Sequence, residues 1–169
     1  MTNYLTVKLD SSHNRESFTC GKPPLANYLQ RQASQDMKRR LSVVYIYPDD
    51  INPSTIRGYY SLSNLSITKE FAPEEIRKKI PNSYQSLPCT LLGRLAIAIN
   101  FRGKGLGEAL LADALLRSYH ASNVLGSIAV VVDPLDDESN GFYKKYHFIE
   151  LQYENKMFLP MSTIKKMFS

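Results

Sequence analysis

The sequence predicts a single α/β domain of 169 residues, in which a central mixed β-sheet carries helices on both faces. Two observations lead to this fold class. The first half contains two neighbouring strand-like runs, residues 41–47 and 57–65, joined by a turn cluster that suits an antiparallel hairpin. The second half alternates strand, helix and strand, which is the pattern of a βαβ unit. A chain of this length, 43% hydrophobic, can bury one sizeable core, whereas two would be tight.

The first half of the chain carries three predicted strands and one helix. Residues 5–9 alternate apolar and polar side chains, which predicts an edge strand. Pro23 and Pro24 open a helix, because proline is tolerated in a first helical turn. Residues 41–47 (LSVVYIY) and 57–65 (RGYYSLSNL) are rich in β-branched and aromatic side chains, as strands are.

The middle of the chain alternates helix and strand. Residues 73–79 predict a short helix with acidic residues at its positive N-terminal end and basic residues at its negative C-terminal end. Pro81 stops this helix, and residues 82–88 form a loop. The apolar run 91–99 then predicts a strand, and apolar residues at helical spacing predict a helix from Leu106 onward.

The last third completes the sheet. Residues 127–133 form a continuous apolar run, which predicts a buried strand. Asp136 begins a short helix, residues 148–152 and 157–160 are the final strands, and residues 161–168 form an amphipathic tail. The predicted order is therefore β-α-β-β-α-β-α-β-α-β-β.

Composition bounds the possible partners. The formal net charge of +5 permits nucleic acid or another anionic partner without requiring one. Two distant cysteines, Cys20 and Cys89, and three scattered histidines give neither a disulfide framework nor a zinc set, so we expect no metal. The N-terminus has no signal-peptide core and no apolar run reaches the length of a membrane span. These features predict a cytoplasmic protein with no membrane partner.

The segment between the predicted strand 91–99 and the helix from Leu106 is a basic glycine-bearing loop. Glycines let backbone N–H groups turn inward, and the following helix presents unpaired N–H groups and the positive end of its dipole. Arg102 and Lys104 add positive charge. The spacing fits neither a Walker loop nor the G-x-G-x-x-G fingerprint. The segment alone therefore leaves two possibilities, a phosphate-binding loop or a glycine-rich turn without a ligand.

Residues 102–107 (RGKGLG) fit the pattern [Q/R]-x-x-G-x-[G/A]. This pattern resembles the pyrophosphate loop with which the GNAT acetyltransferases hold acetyl-CoA. The predicted order of elements also resembles the GNAT fold, and the resemblance covers nearly the whole chain.

Further blocks are similar to one branch of that superfamily, the GNAT toxins of bacterial toxin–antitoxin modules. Residues 18–21 (FTCG) with the following helix resemble the start of the first helix in these toxins. The same holds for the blocks GYYSLS at 58–63, LLGRLA at 91–96, Phe142-Tyr143 and MFLP at 157–160.

The resemblance implies a concrete activity. Such toxins transfer acetyl from acetyl-CoA to the α-amino group of aminoacyl-tRNA, which stops translation. It also implies a small antitoxin with a ribbon-helix-helix segment, repression of operator DNA by the toxin–antitoxin complex, and a homodimeric toxin.

The resemblance assigns roles to residues of this chain. The backbone of Leu95, Ala96 and Ile97 would pair with the pantetheine arm of acetyl-CoA. Tyr143 would act as the general acid that protonates the departing CoA thiolate. The pyrophosphate would bind the loop residues Arg102, Gly103, Lys104, Gly105, Leu106 and Gly107. No general base is evident, and an α-amino acceptor of pKa about 7.7–8.0 does not require one as a lysine amine near 10.4 would.

A tRNA substrate requires a basic surface. Arg94 is the strongest candidate contact, because it lies in the LLGRLA block next to the expected acetyl site. The other predicted RNA-binding residues are Arg31, Lys38, Arg39, Arg77, Lys78 and Lys144.

Three positions depart from common GNAT usage. Asp136 stands where an asparagine is usual, and His147 where a glycine usually precedes the phenylalanine after the tyrosine helix. The third is Asp133-Pro134, which ends the predicted buried strand and removes a backbone donor at Pro134. The first puts cofactor contacts around Asp136 in doubt, and the second predicts a surface turn residue.

Two alternatives remain open from the residues. One is a GNAT enzyme that acetylates another amine, such as a polyamine, an antibiotic or a protein N-terminus. The other is a non-catalytic member that binds acyl-CoA and serves as a co-repressor. An intact RGKGLG loop together with Tyr143 argues against the second.

Overall fold

The computed structural model describes residues 3–169. A seven-stranded mixed sheet has the strand order β1-β2-β3-β4-β5-β7-β6, which confirms the predicted α/β class. Its strands are β1 Val7–Lys8, β2 Val43–Pro48, β3 Ile56–Thr68, β4 Ser86–Ile97, β5 Ala129–Val132, β6 Ile149–Glu150 and β7 Met157–Pro160. The helices are α1 Pro23–Asn27, α2 Ala33–Lys38, α3 Glu74–Arg77, α4 Leu106–Ser122, α5 Asp137–Lys145 and α6 Met161–Met167. A π-helical segment, Tyr28–Gln32, joins α1 to α2.

The chain divides into two compact units. Unit 1 comprises the described residues up to Ser63 together with Gly93–Arg117, and unit 2 comprises Asn64–Leu92 and Ser118–Ser169. The prediction of one domain over residues 1–169 stays a prediction.

Unit 1 contains the antiparallel strands of the first half of the chain. β1 pairs with β2 at the sheet edge, and β2 pairs with β3 in the predicted hairpin. A buried core forms where this hairpin meets the segment before α1 and the π-helical segment. Its larger side chains are Leu9, Phe18, Tyr28, Leu29, Val44, Ile46, Ile56 and Tyr59.

A buried carboxylate fixes the N-terminal strand in unit 1. Asp113 on α4 accepts hydrogen bonds from the Thr6 hydroxyl at 2.6 Å and the Tyr60 hydroxyl at 2.7 Å. Arg117, one turn later, donates to the Tyr60 hydroxyl at 2.9 Å and to the Thr6 carbonyl at 3.2 Å. Its guanidinium also lies over the ring of Tyr45, 4.0 Å from the centroid. Because the buried carboxylate has several donors, its burial costs little.

Unit 2 contains the parallel strand pair and the last strands of the chain. β5 runs parallel to β4 and antiparallel to β7, and β6 pairs with β7 at the other sheet edge. Each residue of β5 is buried, as its continuous apolar run predicted. The core of the unit is formed by Ile67, Ala72, Leu87, Cys89, Ala129, Val131, Leu151 and Phe158.

Local details of two strands differ from the sequence prediction. β4 starts at Ser86, so the prediction of a loop over residues 82–88 is wrong for its last three residues. Pro88 is accommodated because only its carbonyl is needed: it accepts the N–H of Ile128 at 2.9 Å. β6 is limited to two residues, because the next residue, Leu151, donates its N–H to the Lys156 carbonyl at 2.9 Å in a local turn.

Within residues 3–169, no helix has both the length and the apolar character to cross a membrane. The same residues contain no group of three or more His, Cys, Asp or Glu side chains placed to share a metal ion.

Candidate active site

The glycine loop of unit 1 lies directly before the N-terminus of α4, as its sequence predicts. Gly103 and Gly105 adopt φ angles of 76° and 73°, in the left-handed region that favours glycine. A Cβ at either position would meet no atom within 4 Å, so the backbone angle, not crowding, requires glycine here. No acceptor among the described residues takes the N–H groups of Gly103, Lys104 or Gly105. The loop therefore offers a row of unused donors ahead of the positive end of a 17-residue helix.

The C-terminal end of β4 extends past its pairing with β5, which leaves backbone groups on that side without a β5 partner. The parallel ladder between β4 and β5 stops at the pair Leu92 and Val132, whereas β4 continues to Ile97. On the side of β3, Gly58 allows close approach, because a Cβ there would lie 2.8 Å from the Ala96 carbonyl oxygen. Leu95, Ala96 and Ile97 thus lie in the part of β4 that follows its last pair with β5 and that stays next to β3.

Arg102 has a partner that sequence reasoning did not find. Its guanidinium donates a hydrogen bond to the carbonyl of Cys20. The guanidinium lies over Gly21, where a Cβ would be 3.3 Å from the Arg102 Nη2 atom, and Gly21 has a φ of 78°. The loop and the FTCG motif, predicted separately, are therefore in contact within unit 1.

Arg94 stacks on an aromatic ring. Its guanidinium carbon lies 3.4 Å from the centroid of the Tyr28 ring, in a cation–π contact. The Tyr28 hydroxyl donates to Asp36 at 2.8 Å and shares a 3.0 Å hydrogen bond with Ser42. Burial is the main cause that raises the pKa of Tyr28, so the ring stays neutral under the guanidinium. The guanidinium of Arg94 makes no hydrogen bond or ion pair with other described residues, and its planar donors remain available.

Tyr143 lies on α5 in unit 2, and both ends of this helix are capped. Asp136 accepts the N–H of Ser139 at 2.8 Å, as an N-cap residue does. At the other end, the N–H of His147 donates to Lys144 at 3.1 Å and the N–H of Phe148 donates to Tyr143 at 3.2 Å. This pair of bonds is a Schellman motif, with His147 in the left-handed position at φ 73°.

Two of the three positions that depart from GNAT usage lie at the ends of α5. Asp136 begins α5 as predicted and uses its carboxylate to cap the helix. His147 is an exposed turn residue, as predicted, and it occupies a left-handed conformation in which glycine is free of strain.

The ring of Tyr143 is held among aromatic neighbours. Phe142 and Phe148 lie with ring centroids 5.3 Å and 5.2 Å from it. The side chain is 7% exposed, and burial raises the pKa of its phenol. The hydroxyl makes no hydrogen bond with any other described residue. The phenol of Tyr143 is therefore neutral at physiological pH, and its ring is packed between two aromatic neighbours.

The positive charge of the chain is concentrated in unit 1. This unit has 12 Lys and Arg against seven Asp and Glu, whereas unit 2 has nine of each. Arg31, Lys38 and Arg39 are exposed in unit 1 and form no ion pair with described residues. In unit 2, Lys144 pairs with Glu150 at 3.1 Å.

The remaining two predicted RNA contacts differ from each other. Arg77 is half-buried and donates to the Glu70 carbonyl at 3.4 Å, whereas Lys78 is exposed. The structure thus brings Arg31, Lys38, Arg39 and Arg94 into the unit that carries the whole net charge of +5.

Sequence reasoning missed several residues of the candidate site. Tyr28 supports Arg94, Cys20 accepts from Arg102, and Gln30 donates to the Phe18 carbonyl at 2.8 Å. The FTCG motif and the residues around Tyr28 carried the family resemblance, but no local pattern indicates which distant side chain each would meet.

Comparison with known proteins gives consistent results. No family model matches the chain. The tRNA-acetylating toxin of Mycobacterium tuberculosis is 30% identical over 141 residues, which cover 83% of this chain and 81% of that protein.

Solved structures extend the likeness to the fold. AtaT complexed with acetyl-methionyl-tRNAfMet is 28% identical, has a TM-score of 0.88, and is matched over 97% of this chain and 98% of that chain. AtaTR bound with acetyl-CoA is 29% identical with a TM-score of 0.84, over 97% of each chain. Two further structures, 25% and 26% identical, are a mutant AtaT bound to the C-terminus of the antitoxin AtaR and acetyl-CoA, and the AtaT–AtaR complex bound to DNA.

Proposed function

This chain belongs to the tRNA-acetylating GNAT toxins of bacterial toxin–antitoxin modules, and from that premise we propose how its residues carry out the reaction. The protein is an acetyl-CoA-dependent N-acetyltransferase. It moves the acetyl group to the α-amino group of an aminoacyl-tRNA, and the blocked amine can no longer enter peptide synthesis.

The observation that carries the proposal is the loop before α4. Its unused N–H groups at Gly103, Lys104 and Gly105, followed by a helix N-terminus, fit the pyrophosphate of acetyl-CoA. The residues that would hold this group are Arg102, Gly103, Lys104, Gly105, Leu106 and Gly107. The backbone of Leu95, Ala96 and Ile97 would pair with the pantetheine arm, since β4 continues beyond its β5 ladder there.

Tyr143 is the proposed general acid. Attack of the amine on the thioester carbonyl forms the C–N bond, and cleavage of the C–S bond releases the CoA thiolate, which needs a proton. Tyr143 supplies this proton, the acylated nitrogen releases one proton to solvent, and the phenolate takes a proton back from solvent, so that the step balances. Burial raises the pKa of the Tyr143 phenol, which is therefore protonated before the step. The capped helix and two flanking rings restrict the side chain to one orientation, as a proton donor requires.

The acceptor amine needs little help from the protein. An α-amino group has a pKa of about 7.7–8.0, so a useful neutral fraction is present at cellular pH. This chemistry favours an aminoacyl ester over a lysine side chain and agrees with the lack of an evident general base.

The proposed tRNA contacts are Arg94, Arg31, Lys38, Arg39, Arg77, Lys78 and Lys144. The first four are best supported, since they lie in the unit with the net positive charge. Arg94 offers a planar guanidinium stacked on Tyr28, a geometry that suits phosphate or nucleobase recognition. Such contacts release counterions, so binding should weaken steeply with salt.

Structures of AtaT with the C-terminus of the antitoxin AtaR, and of the AtaT–AtaR complex with DNA, support an antitoxin and DNA as partners of this chain. We expect an antitoxin with a ribbon-helix-helix segment, which would carry the toxin to operator DNA, and a homodimeric toxin. Since the substrate is aminoacyl-tRNA, we place the protein in the cytoplasm.

A reconstituted translation reaction tests the proposed function. Addition of the protein with acetyl-CoA should stop peptide synthesis, whereas the protein with CoA alone should not. Equal inhibition without acetyl-CoA would show that the block comes from another activity.

A further inference from the structure

Three consecutive carbonyls in unit 1 connect two parts of the candidate site. The Phe18 carbonyl accepts from the Gln30 amide at 2.8 Å, the Thr19 carbonyl accepts the N–H of Ile99 at 2.8 Å, and the Cys20 carbonyl accepts from the Arg102 guanidinium. We call residues 18–20 the 18–20 bridge. One of its bonds leads to the π-helical segment, and two lead to the start of the cofactor loop.

The bridge is held firmly between its two ends. Phe18 and Cys20 are buried, and the Phe18 ring packs edge-on against Tyr59 with centroids 5.6 Å apart. Gly21 ends the bridge in a left-handed conformation directly under the Arg102 guanidinium. If Arg102 or Ile99 moves, either its hydrogen bond to the bridge breaks or the bridge moves with it and displaces the packed ring of Phe18.

The two ends of the bridge lie beside different substrates in the proposed function. Ile99 and Arg102 belong to the loop proposed for the pyrophosphate of acetyl-CoA. Gln30 belongs to the π-helical segment, which also contains Arg31 and supplies Tyr28 as the support for Arg94. A π-helical turn inserted into a helix is itself a common mark of a functional segment.

We propose that the 18–20 bridge couples the cofactor loop to the RNA-binding surface, with Arg102 and Gln30 as the positioning residues at its two ends. The inference rests on the proposed function, because it requires acetyl-CoA at the loop and tRNA at Arg31 and Arg94. When the loop is occupied, the bridge holds the π-helical segment in the conformation that presents these two arginines, so one ligand strengthens binding of the other.

Equilibrium binding measures this coupling without catalysis. Deacylated tRNA is titrated into the protein with and without saturating CoA, and the ratio of the two dissociation constants is the coupling factor. Typical couplings between sites correspond to about 5- to 150-fold. We expect at least fivefold tighter tRNA binding with CoA for the unchanged protein, and a factor near one for Arg102→Ala and for Gln30→Met.

Two variants separate positioning from loss of charge or fold. Lys104→Ala removes a charge from the same loop without touching the bridge, so it should weaken CoA binding but keep the coupling factor at CoA saturation. Arg102→Lys can still donate to the Cys20 carbonyl and should restore most of the factor that Arg102→Ala loses. Far-ultraviolet circular dichroism and thermal melting should show that all four variants are folded.

The outcomes distinguish this inference from the proposed function. If the unchanged protein binds tRNA but CoA leaves its affinity the same, or if Arg102→Ala and Gln30→Met keep the full factor, the coupling is refuted and the acetyltransferase proposal stands. If the unchanged protein binds no deacylated tRNA with or without CoA, the coupling is refuted, whereas the acetyltransferase proposal is refuted only if charged tRNA is not acetylated.

Discussion

The rings of Tyr143 and Phe148 pack edge to face with centroids 5.2 Å apart, and the N–H of Phe148 donates to the Tyr143 carbonyl at 3.2 Å. Phe148 is thus the residue after the left-handed turn of a Schellman motif, and Tyr143 is its partner in the last turn of α5. The same motif that ends the helix orients the proposed general acid.

Replacement of Phe148 tests this arrangement. Phe148→Leu keeps an apolar side chain but removes the edge-to-face contact, which is worth about 0.5–1.5 kcal/mol. We expect a loss of that size in the free energy of unfolding, from urea titration, and a lower kcat with unchanged CoA affinity. An unchanged kcat would show that Tyr143 does not depend on Phe148 for its position.

Removal of the Tyr143 hydroxyl should separate activity from stability. Tyr143→Phe should lower kcat by about 10²- to 10⁴-fold, the usual contribution of a general acid. The free energy of unfolding should change by less than about 0.5 kcal/mol, because the hydroxyl makes no hydrogen bond with described residues. Tyr146→Phe at the C-cap of the same helix is the control and should keep its activity. Undiminished growth arrest by Tyr143→Phe would exclude this acid.

His147 carries conformational strain that glycine would relieve. A non-glycine residue in the left-handed region costs about 1–2 kcal/mol, part of which the greater freedom of unfolded glycine offsets. His147→Gly should therefore raise the free energy of unfolding by about 1 kcal/mol without a change in kcat. Lys145→Gly, two residues earlier and within α5, should have the opposite sign. Destabilisation by both variants would argue against the strain.

Arg94 and lysine are not equivalent on top of Tyr28. Arg94→Lys keeps the charge but loses the planar stacking, so we expect weaker tRNA binding with a similar dependence on salt. Arg94→Ala should weaken binding further and reduce the slope of log affinity against log salt by about one. Lys165→Ala, on α6 of the unit without net charge, is the control. Equal affinities for Arg94→Lys and the unchanged protein would rule out a role for the stacking.

Alkaline pH should destabilise the protein. Burial raises the pKa of Cys89 from 9.0 to about 12 and raises the pKa values of Tyr59, Tyr60 and Tyr143 above 10.0. The folded state therefore holds these protons longer than the unfolded state, and their contribution is full below about pH 9 and is lost as pH rises above it. Urea midpoints at pH 8 and pH 10.5 measure the effect. Cys89→Ala should flatten the decline between about pH 9 and pH 10, and an unchanged decline would exclude the thiol as a contributor.

Periodicity and turn chemistry were sufficient to predict the order of elements. The hairpin of β2 and β3, the start of α4 at Leu106 and the start of α5 after Asp136 each follow from local signals that agree with the final packing. The start of β4 around Pro88 was not predicted, because proline usually argues against a strand. Whether a strand tolerates proline depends on whether a neighbouring strand requires the N–H group that proline lacks.

The candidate site was predictable only in part. The glycines and the tyrosine stand in recognisable motifs, but their partners do not. Arg102 reaches Cys20 across 82 positions of sequence, and Arg94 finds Tyr28 on a π-helical turn that no periodicity revealed. Such pairings are set by tertiary packing. The local sequence around either side chain does not indicate its partner.

The central claim is acetyl transfer to the α-amino group of aminoacyl-tRNA, and direct product analysis tests it. The protein is incubated with acetyl-labelled acetyl-CoA and total charged tRNA, and the RNA is recovered and analysed for N-acetyl-aminoacyl-tRNA. The account predicts label in that product, lost when the tRNA is deacylated beforehand and strongly reduced for Tyr143→Phe. Absence of label in charged tRNA, or equal labelling of deacylated tRNA, would contradict it.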